Sequence, residues 1–118
     1  MDPRDKAFRI PGDQIKRLVP AMGGCYASDR ITVDGMKVGY MYRETPDERF
    51  DSGWRFMSGD ENQEYTENAD NWAIYEVNTI CNYDPAIIPY LDAAYGTAYG
   101  RIPGTDKFRA EEFEPSDE

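Results

Sequence analysis

The sequence contains no histidine among its 118 residues, and this absence removes several kinds of active site at once. Serine and cysteine nucleophiles most often depend on a histidine base, and histidine is a standard zinc ligand. The phosphate-binding loops GxxxxGK[ST] and GxGxxG are missing as well. We therefore expect a binding protein that is not an enzyme and that needs no cofactor and no metal.

Cysteine is scarce too, since Cys25 and Cys81 are the two in the chain and their separation fits no CxxC metal or redox pattern. Both lie among small or apolar residues, which predicts buried free thiols. No segment approaches the roughly 20 apolar residues of a membrane helix. The charged N-terminus is not followed by the apolar run of a signal peptide. These absences predict a cytoplasmic protein without a membrane segment.

Basic residues are few: the chain has 13 Lys and Arg and 23 Asp and Glu, which gives a formal net charge of −10. A field of this sign repels the phosphates of nucleic acids and anionic membrane surfaces. It attracts a basic protein and speeds the encounter, although acidity also serves solubility alone. We expect no nucleic-acid partner and no membrane partner, and a basic protein partner if the charge has a binding role.

Hydrophobic residues nevertheless make up 40% of the chain, and nine tyrosines contribute to an aromatic share of 14%. Aromatic side chains bury a large area each, and the length suits one domain. We expect a single α+β domain, mainly an antiparallel sheet of about four to six strands, with one or two short helices packed on one face. Its expected parts are an arm with a short helix (1–24), the domain proper (25–113) and an acidic tail (114–118).

The clearest local signal is a predicted β-hairpin. Asp34-Gly35 supplies the two positive-φ positions of a type I′ turn, and residues 36–43 alternate with the period of two that marks a strand. Residues 31–33 are expected to form the other arm.

Other elements follow from caps, chain breakers and alternation. Asp13 is expected to cap a short helix that ends before Pro20, and Asp84 followed by Pro85 is the start signal of another. The polar stretch 58–71 is interpreted as a loop with one helical turn. Further strands are predicted at residues 25–27, 53–57, 72–77 and 95–101.

Trp54 and Arg55 are consecutive in one predicted strand, so their side chains project from opposite faces of the sheet. Large aromatic residues usually anchor a core, which favours a buried Trp54 beside a solvated Arg55. In the functional interpretation, an exposed Arg55 and nearby Tyr65 belong to a recognition surface, where arginine and tyrosine often carry binding energy.

Carboxylates concentrate in the loops on both sides of this strand. The stretch 60–64 alternates oxygen ligands but lacks the glycine and the distal glutamate of a calcium loop, which favours a solvated acidic loop. Because both loops flank one strand, they are expected at adjacent edges of one surface. The candidate partner-binding residues are Glu44, Asp47, Glu48, Asp51, Arg55, Asp60, Glu61, Glu64 and Tyr65.

An ordered series of motifs between residues 25 and 101 resembles the immunity protein 33 family, first described as a domain of unknown function. The motifs are specific in combination rather than singly. The resemblance implies an α+β protein that neutralises a partner toxin in a bacterial polymorphic toxin system, and the family pattern includes no catalytic residues. The motifs are CYASDRITVDG (25–35), VGYMYRE (38–44), SGWRF (52–56), GDE (59–61), EY (64–65), NTI (78–80), DP (84–85), IIP (87–89) and LD (91–92).

Two functions stay open at this point. As an immunity protein, the chain would cover a basic active-site cleft, such as that of a nuclease, with an acidic face. As a small-ligand module or an enzyme, it would use a pocket lined by aromatic residues and carboxylates. A deep pocket that holds Trp54 and a carboxylate favours the ligand module, whereas a flat or convex acidic face favours toxin binding.

Overall fold

One six-stranded sheet organises residues 7–46 and 48–111, the part of the chain that the computed structural model describes. Its strands are β1 (Gly24–Ser28), β2 (Tyr40–Arg43), β3 (Asp51–Met57), β4 (Trp72–Glu76), β5 (Thr97–Arg101) and β6 (Phe108–Glu111). They lie in the order β4-β1-β3-β2-β5-β6. β1 and β3 are parallel, and the other neighbours are antiparallel. The predicted α+β fold with a mainly antiparallel sheet is confirmed.

Short helices pack on one face of this sheet. They include α1 (Asp29–Thr32), α3 (Val77–Tyr83) and a 3₁₀ helix at Pro85–Tyr90, whereas α2 (Gln63–Glu67) lies in the connection from β3 to β4. Within the described ranges, no helix has the length and apolar character needed to cross a membrane. The core between the helices and the sheet includes Ile31, Met41, Trp54, Phe56, Ile80 and Ile87.

Trp54 is a central residue of that core and is fully buried, as predicted. Its ring stacks on Phe56 with 5.8 Å between the centroids. Its indole N–H donates to the backbone carbonyl of Leu91 at 3.1 Å, so the polar atom of this large side chain is satisfied inside the protein.

The two cysteines are buried free thiols, which confirms the prediction for them. Burial raises the pKa of Cys25 and raises the pKa of Cys81 to about 11. Both thiols are therefore protonated at neutral pH, and a protonated buried thiol is chemically inert.

The predicted hairpin around Gly35 is wrong, because residues 29–32 form α1 instead of a strand. Ser28 caps this helix by accepting the backbone N–H of Arg30. Gly35 ends it in the left-handed conformation, with φ 78° and its N–H bonded to the carbonyl of Ile31 at 3.1 Å. Helix ends and hairpin turns both require a positive φ, so Asp-Gly is typical of either. β2 pairs with β3 and β5 instead.

The helix predicted from Asp13 to Val19 is also wrong, since it is reduced to a 3₁₀ turn at Gly12–Gln14. The following residues are held in another conformation by a side chain from α3. The amide oxygen of Asn78 accepts the backbone N–H groups of Leu18 at 2.7 Å and Val19 at 3.1 Å. A tertiary contact therefore overrides the local helical pattern.

The remaining predicted elements agree with the structure in outline. Asp84 caps the 3₁₀ helix through the N–H of Ala86, as its position before Pro85 indicated. The helical turn in residues 58–71 is α2, and the other four predicted strands correspond to β1, β3, β4 and β5. The sequence did not predict α3 or β6. The tail, 114–118, and the first residues of the arm lie outside the described ranges.

Candidate functional site

The face of the sheet opposite the core carries the candidate site. Strand pairing aligns Ile74 of β4, Tyr26 of β1, Arg55 of β3 and Tyr42 of β2 in one row. Because side chains alternate along a strand, this row projects away from the face that holds Trp54. We call the surface formed by Tyr26, Tyr42, Arg55 and Ile74 the open face.

Arg55, at the centre of the open face, is only 5% exposed, so the prediction of a solvated or exposed arginine is wrong. Its Nη1 and Nη2 donate to the two carboxylate oxygens of Asp51 at 2.9 and 2.8 Å, and its Nε donates to Glu44 at 2.6 Å. The ring of Tyr26 lies 4.6 Å from the guanidinium carbon. Burial disfavours the charge, but the hydrogen bonds to Asp51 and Glu44 outweigh it and raise the pKa of Arg55.

An irregularity in β3 makes this cluster possible. Two steps along β1, from Gly24 to Tyr26, correspond to four steps along β3, from Asp51 to Arg55. Such a bulge bends the strand and shortens it locally, whereas residues four apart in a regular strand are separated by about 13 Å. Gly53 lies inside the bulge with φ 89°. A Cβ atom at Gly53 would collide with the backbone carbonyl of Glu44, so glycine is required where the cluster forms.

The second group of predicted residues lies in residues 58–71, which we call the acidic segment. It connects β3 to β4 and contains α2. Asn62 caps α2 by accepting the backbone N–H of Tyr65 at 2.7 Å. The segment has no Lys or Arg, and its five carboxylates are Asp60, Glu61, Glu64, Glu67 and Asp70.

Glu61 has a structural role within the acidic segment. It accepts the backbone N–H of Ser58 at 2.8 Å, the hydroxyl of Ser58 at 3.1 Å and the N–H of Gly59 at 2.9 Å. Burial opposes the charge of Glu61, but these hydrogen bonds prevail and lower its pKa. Glu64 is exposed, so its charge reaches the solvent. Asp60 is exposed as well, but it accepts a hydrogen bond from the Ser58 hydroxyl and lies 3.4 Å from Nε of Arg30.

Tyr65 connects the acidic segment to the open face. Its hydroxyl accepts a hydrogen bond from Ser28 at 3.3 Å, and its ring contacts Trp72 edge-on with 6.4 Å between centroids. Ser28 and Trp72 pair across β1 and β4, two positions beyond the pair of Tyr26 and Ile74, and therefore lie on the same side of the sheet. The acidic segment thus covers one corner of that side.

The predicted residues form two clusters rather than one adjoining pair of loops. Glu44, Asp51 and Arg55 form one cluster around the first part of β3, and the acidic segment begins at Ser58, directly after β3 ends at Met57. Glu48 is exposed near the first cluster, and Asp47 lies outside the described residues. The open face lies between the two clusters.

Sequence reasoning did not single out Tyr26, Tyr42 or Ile74 as functional residues. Their alternation with core residues is visible in the sequence. Alternation does not show that they share one face, because that depends on the strand pairing, and it does not show whether another element covers that face.

The structure gives no support to a pocket around Trp54, because this side chain is fully buried in the core. A shallow groove of about 250 Å³ lies elsewhere and is lined by Lys37, Arg101, Thr105 and Asp106, with Gly104. Among residues 7–46 and 48–111, no three His, Cys, Asp or Glu side chains gather closely enough to hold a metal ion.

The fold and this site define a small α+β domain whose sheet has a helix-covered face and an open face with carboxylates at both ends. The chain belongs to the family of the immunity protein Imm33 domain, whose model matches residues 25–112. The family resemblance predicted from the motifs is therefore confirmed, and the match reaches beyond them through β6. Comparisons with curated proteins and with solved structures give no match.

Proposed function

We propose that this chain is a non-catalytic immunity protein that binds a basic toxin domain in the bacterial cytoplasm and covers its active site. Membership of an immunity protein family supports a toxin-neutralising role in general. The observation that carries the specific proposal is the acidic segment, which has five carboxylates, no basic residue and a position beside an open face lined by aromatic residues. The net charge of −10 favours a basic protein over a nucleic acid or an anionic membrane.

The proposed partner-binding residues have different roles, which depend on their environment. Asp60 and Glu64 are exposed and attract the partner over roughly a Debye length, about 8 Å at physiological salt. Glu61 and Tyr65 hold the acidic segment in position. At the far end of β3, Glu48 adds an exposed charge, while Glu44, Asp51 and Arg55 form a preformed cluster. Asp47, which lies outside the described residues, stays a predicted partner-binding residue.

The test is kinetic and uses a candidate toxin domain encoded by a neighbouring gene. The double variant Asp60→Asn, Glu64→Gln removes two negative charges and retains Glu61, which accepts the backbone N–H groups of Ser58 and Gly59. We expect its association rate to fall more than its dissociation rate rises, and the dependence of association on salt to weaken. Surface plasmon resonance over a salt series measures both rates, and growth on co-expression with the toxin measures neutralisation.

A matched control separates local charge from net charge. Asp13 and Asp92 are exposed and belong to other segments of the chain, so Asp13→Asn with Asp92→Asn changes the net charge by the same amount. Equal slowing by both double variants would contradict a specific role for the acidic segment. Absence of a complex between the unmodified protein and the toxin domain would contradict the immunity role itself.

A further inference from the structure

We propose that the centre of the open face, Tyr26 and Ile74 beside Arg55 and Glu44, is the docking site for a cationic loop of that toxin, one that presents an arginine or lysine side chain. This inference rests on the proposed function and adds the place where the binding affinity arises. The acidic segment attracts the partner, and the open face holds it.

The centre of the open face exposes apolar surface to the solvent. Ile74 is 67% exposed and Tyr26 is 42% exposed, and the two residues are direct partners across β4 and β1. Singly exposed apolar residues are common, but paired residues across strands form one contact surface. Interface centres are enriched in tyrosine and arginine and surrounded by a polar rim, which is the composition found here.

The net charge at the centre of the open face also favours a cationic occupant. Arg55 contributes one positive charge, and Glu44 and Asp51 contribute two negative charges, so the cluster has a net charge of −1. The Glu44 side chain stays 42% exposed although it binds Arg55, which allows it to receive a second cation. The ring of Tyr26 already contacts one guanidinium and attracts another through its π electrons. A second copy of this chain, with its charge of −10, is electrostatically disfavoured as the occupant.

The centre of the open face is also preorganised for binding. Three hydrogen bonds from Arg55 to Asp51 and Glu44 hold this region in place before any partner arrives, and the bulge at Gly53 fixes their geometry. A surface that is already ordered loses less conformational freedom on binding, so more of the contact energy appears as affinity.

The decisive experiment reverses the charge at one position. Ile74→Arg and Ile74→Glu both place a long charged side chain on the open face, and they differ in sign. Toward a cationic loop we expect Ile74→Arg to raise the Kd of the toxin complex about tenfold more than Ile74→Glu does. Leu18→Arg and Leu18→Glu are the matched controls, because Leu18 is exposed at 44% and lies against α3 through Asn78. Both controls should stay within about twofold of the unmodified protein.

A second pair of variants tests the tyrosine. Tyr26→Ala should raise the dissociation rate about tenfold without changing the salt dependence of association. Tyr95→Ala is the control, because Tyr95 is 54% exposed and has the guanidinium of Arg43 4.8 Å from its ring. Circular dichroism melting curves of both variants establish that each is folded.

The outcomes separate this inference from the proposed function. If the unmodified protein does not bind the toxin domain, both are wrong. If it binds but the Ile74 and Tyr26 variants behave like their controls, this inference alone is wrong. Equal losses for Ile74→Arg and Ile74→Glu would rule out a cationic occupant. A dimer in sedimentation analysis that Ile74→Arg dissociates would assign the face to a second copy and overturn the proposal.

Discussion

Two groups of carboxylates flank β3, and their environments differ sharply. Glu44 and Asp51 bind the buried guanidinium of Arg55, whereas the acidic segment has five carboxylates and no basic residue of its own. The first group is part of the structure, because separating it from Arg55 would leave a buried charge uncompensated. The second group is mostly solvated and contributes little to stability. Acidic loops that look alike in sequence can therefore serve folding in one case and binding in the other.

The largest effect on stability is expected from removing the buried cation. Arg55→Met should lower the free energy of unfolding by about 3 kcal/mol, because Asp51 and Glu44 lose their partner in a partly buried site. Urea unfolding at pH 7 measures the change. Arg49→Met is the control, since Arg49 is exposed, and it should change stability by less than about 0.5 kcal/mol. Equal effects would show that the Arg55 cluster has no special structural role.

The bulge that brings the cluster together can be tested separately. Gly53→Ala should cost about 2 kcal/mol, because φ is 89° there and the new Cβ would meet the carbonyl of Glu44. Gly12→Ala is the control, since a Cβ at Gly12 has open space and the position has no positive φ. Thermal unfolding of both variants measures the difference, and a neutral Gly53→Ala would contradict the proposed requirement for glycine.

Within the acidic segment, Glu61 has a structural role, and its loss is expected to reduce stability. Its pKa is lowered in the folded protein by hydrogen bonds that outweigh its burial, so its stabilisation is present above the unfolded pKa and is lost as pH falls through the folded pKa. Glu61→Gln should lower stability at pH 7 by about 1 kcal/mol and should lose less stability on acidification than the unmodified protein. Urea unfolding at pH 7 and at a series of acidic pH values tests both statements, and unchanged acid sensitivity would count against them.

The smallest effect is expected from the exposed carboxylates. Asp60→Asn with Glu64→Gln should change the free energy of unfolding by less than about 0.5 kcal/mol, even though it slows association with the toxin. Glu44→Gln makes the same kind of change in the other group and should cost about 1 kcal/mol or more, because it weakens a charge-assisted hydrogen bond to Arg55. If the two variants were equally stable, the distinction between the two groups would be lost.

Sequence patterns accounted for much of the fold and for little of the site. Strand patterns predicted five of the six described strands in outline, since β2 lies within the predicted strand 36–43, and aromatic size predicted the burial of Trp54. Arg55 was assigned to the correct face but to the wrong environment, because its partners come from the end of β2 and from beyond a bulge. No short-range pattern reports such a bulge, since it depends on how β3 pairs with β1.

The net charge, the missing histidine, the family motifs and the periodicity of the strands can all be read from the amino-acid sequence, because each is a property of composition or of neighbouring residues. Three features depend on the folded chain instead: Gly35 ends a helix, Arg55 is buried between carboxylates, and one face of the sheet holds exposed tyrosine and isoleucine. Those outcomes depend on strand order and on contacts between distant residues. Local preferences are weak beside the energy of such contacts, so the same residues were compatible with more than one arrangement until the whole chain was packed.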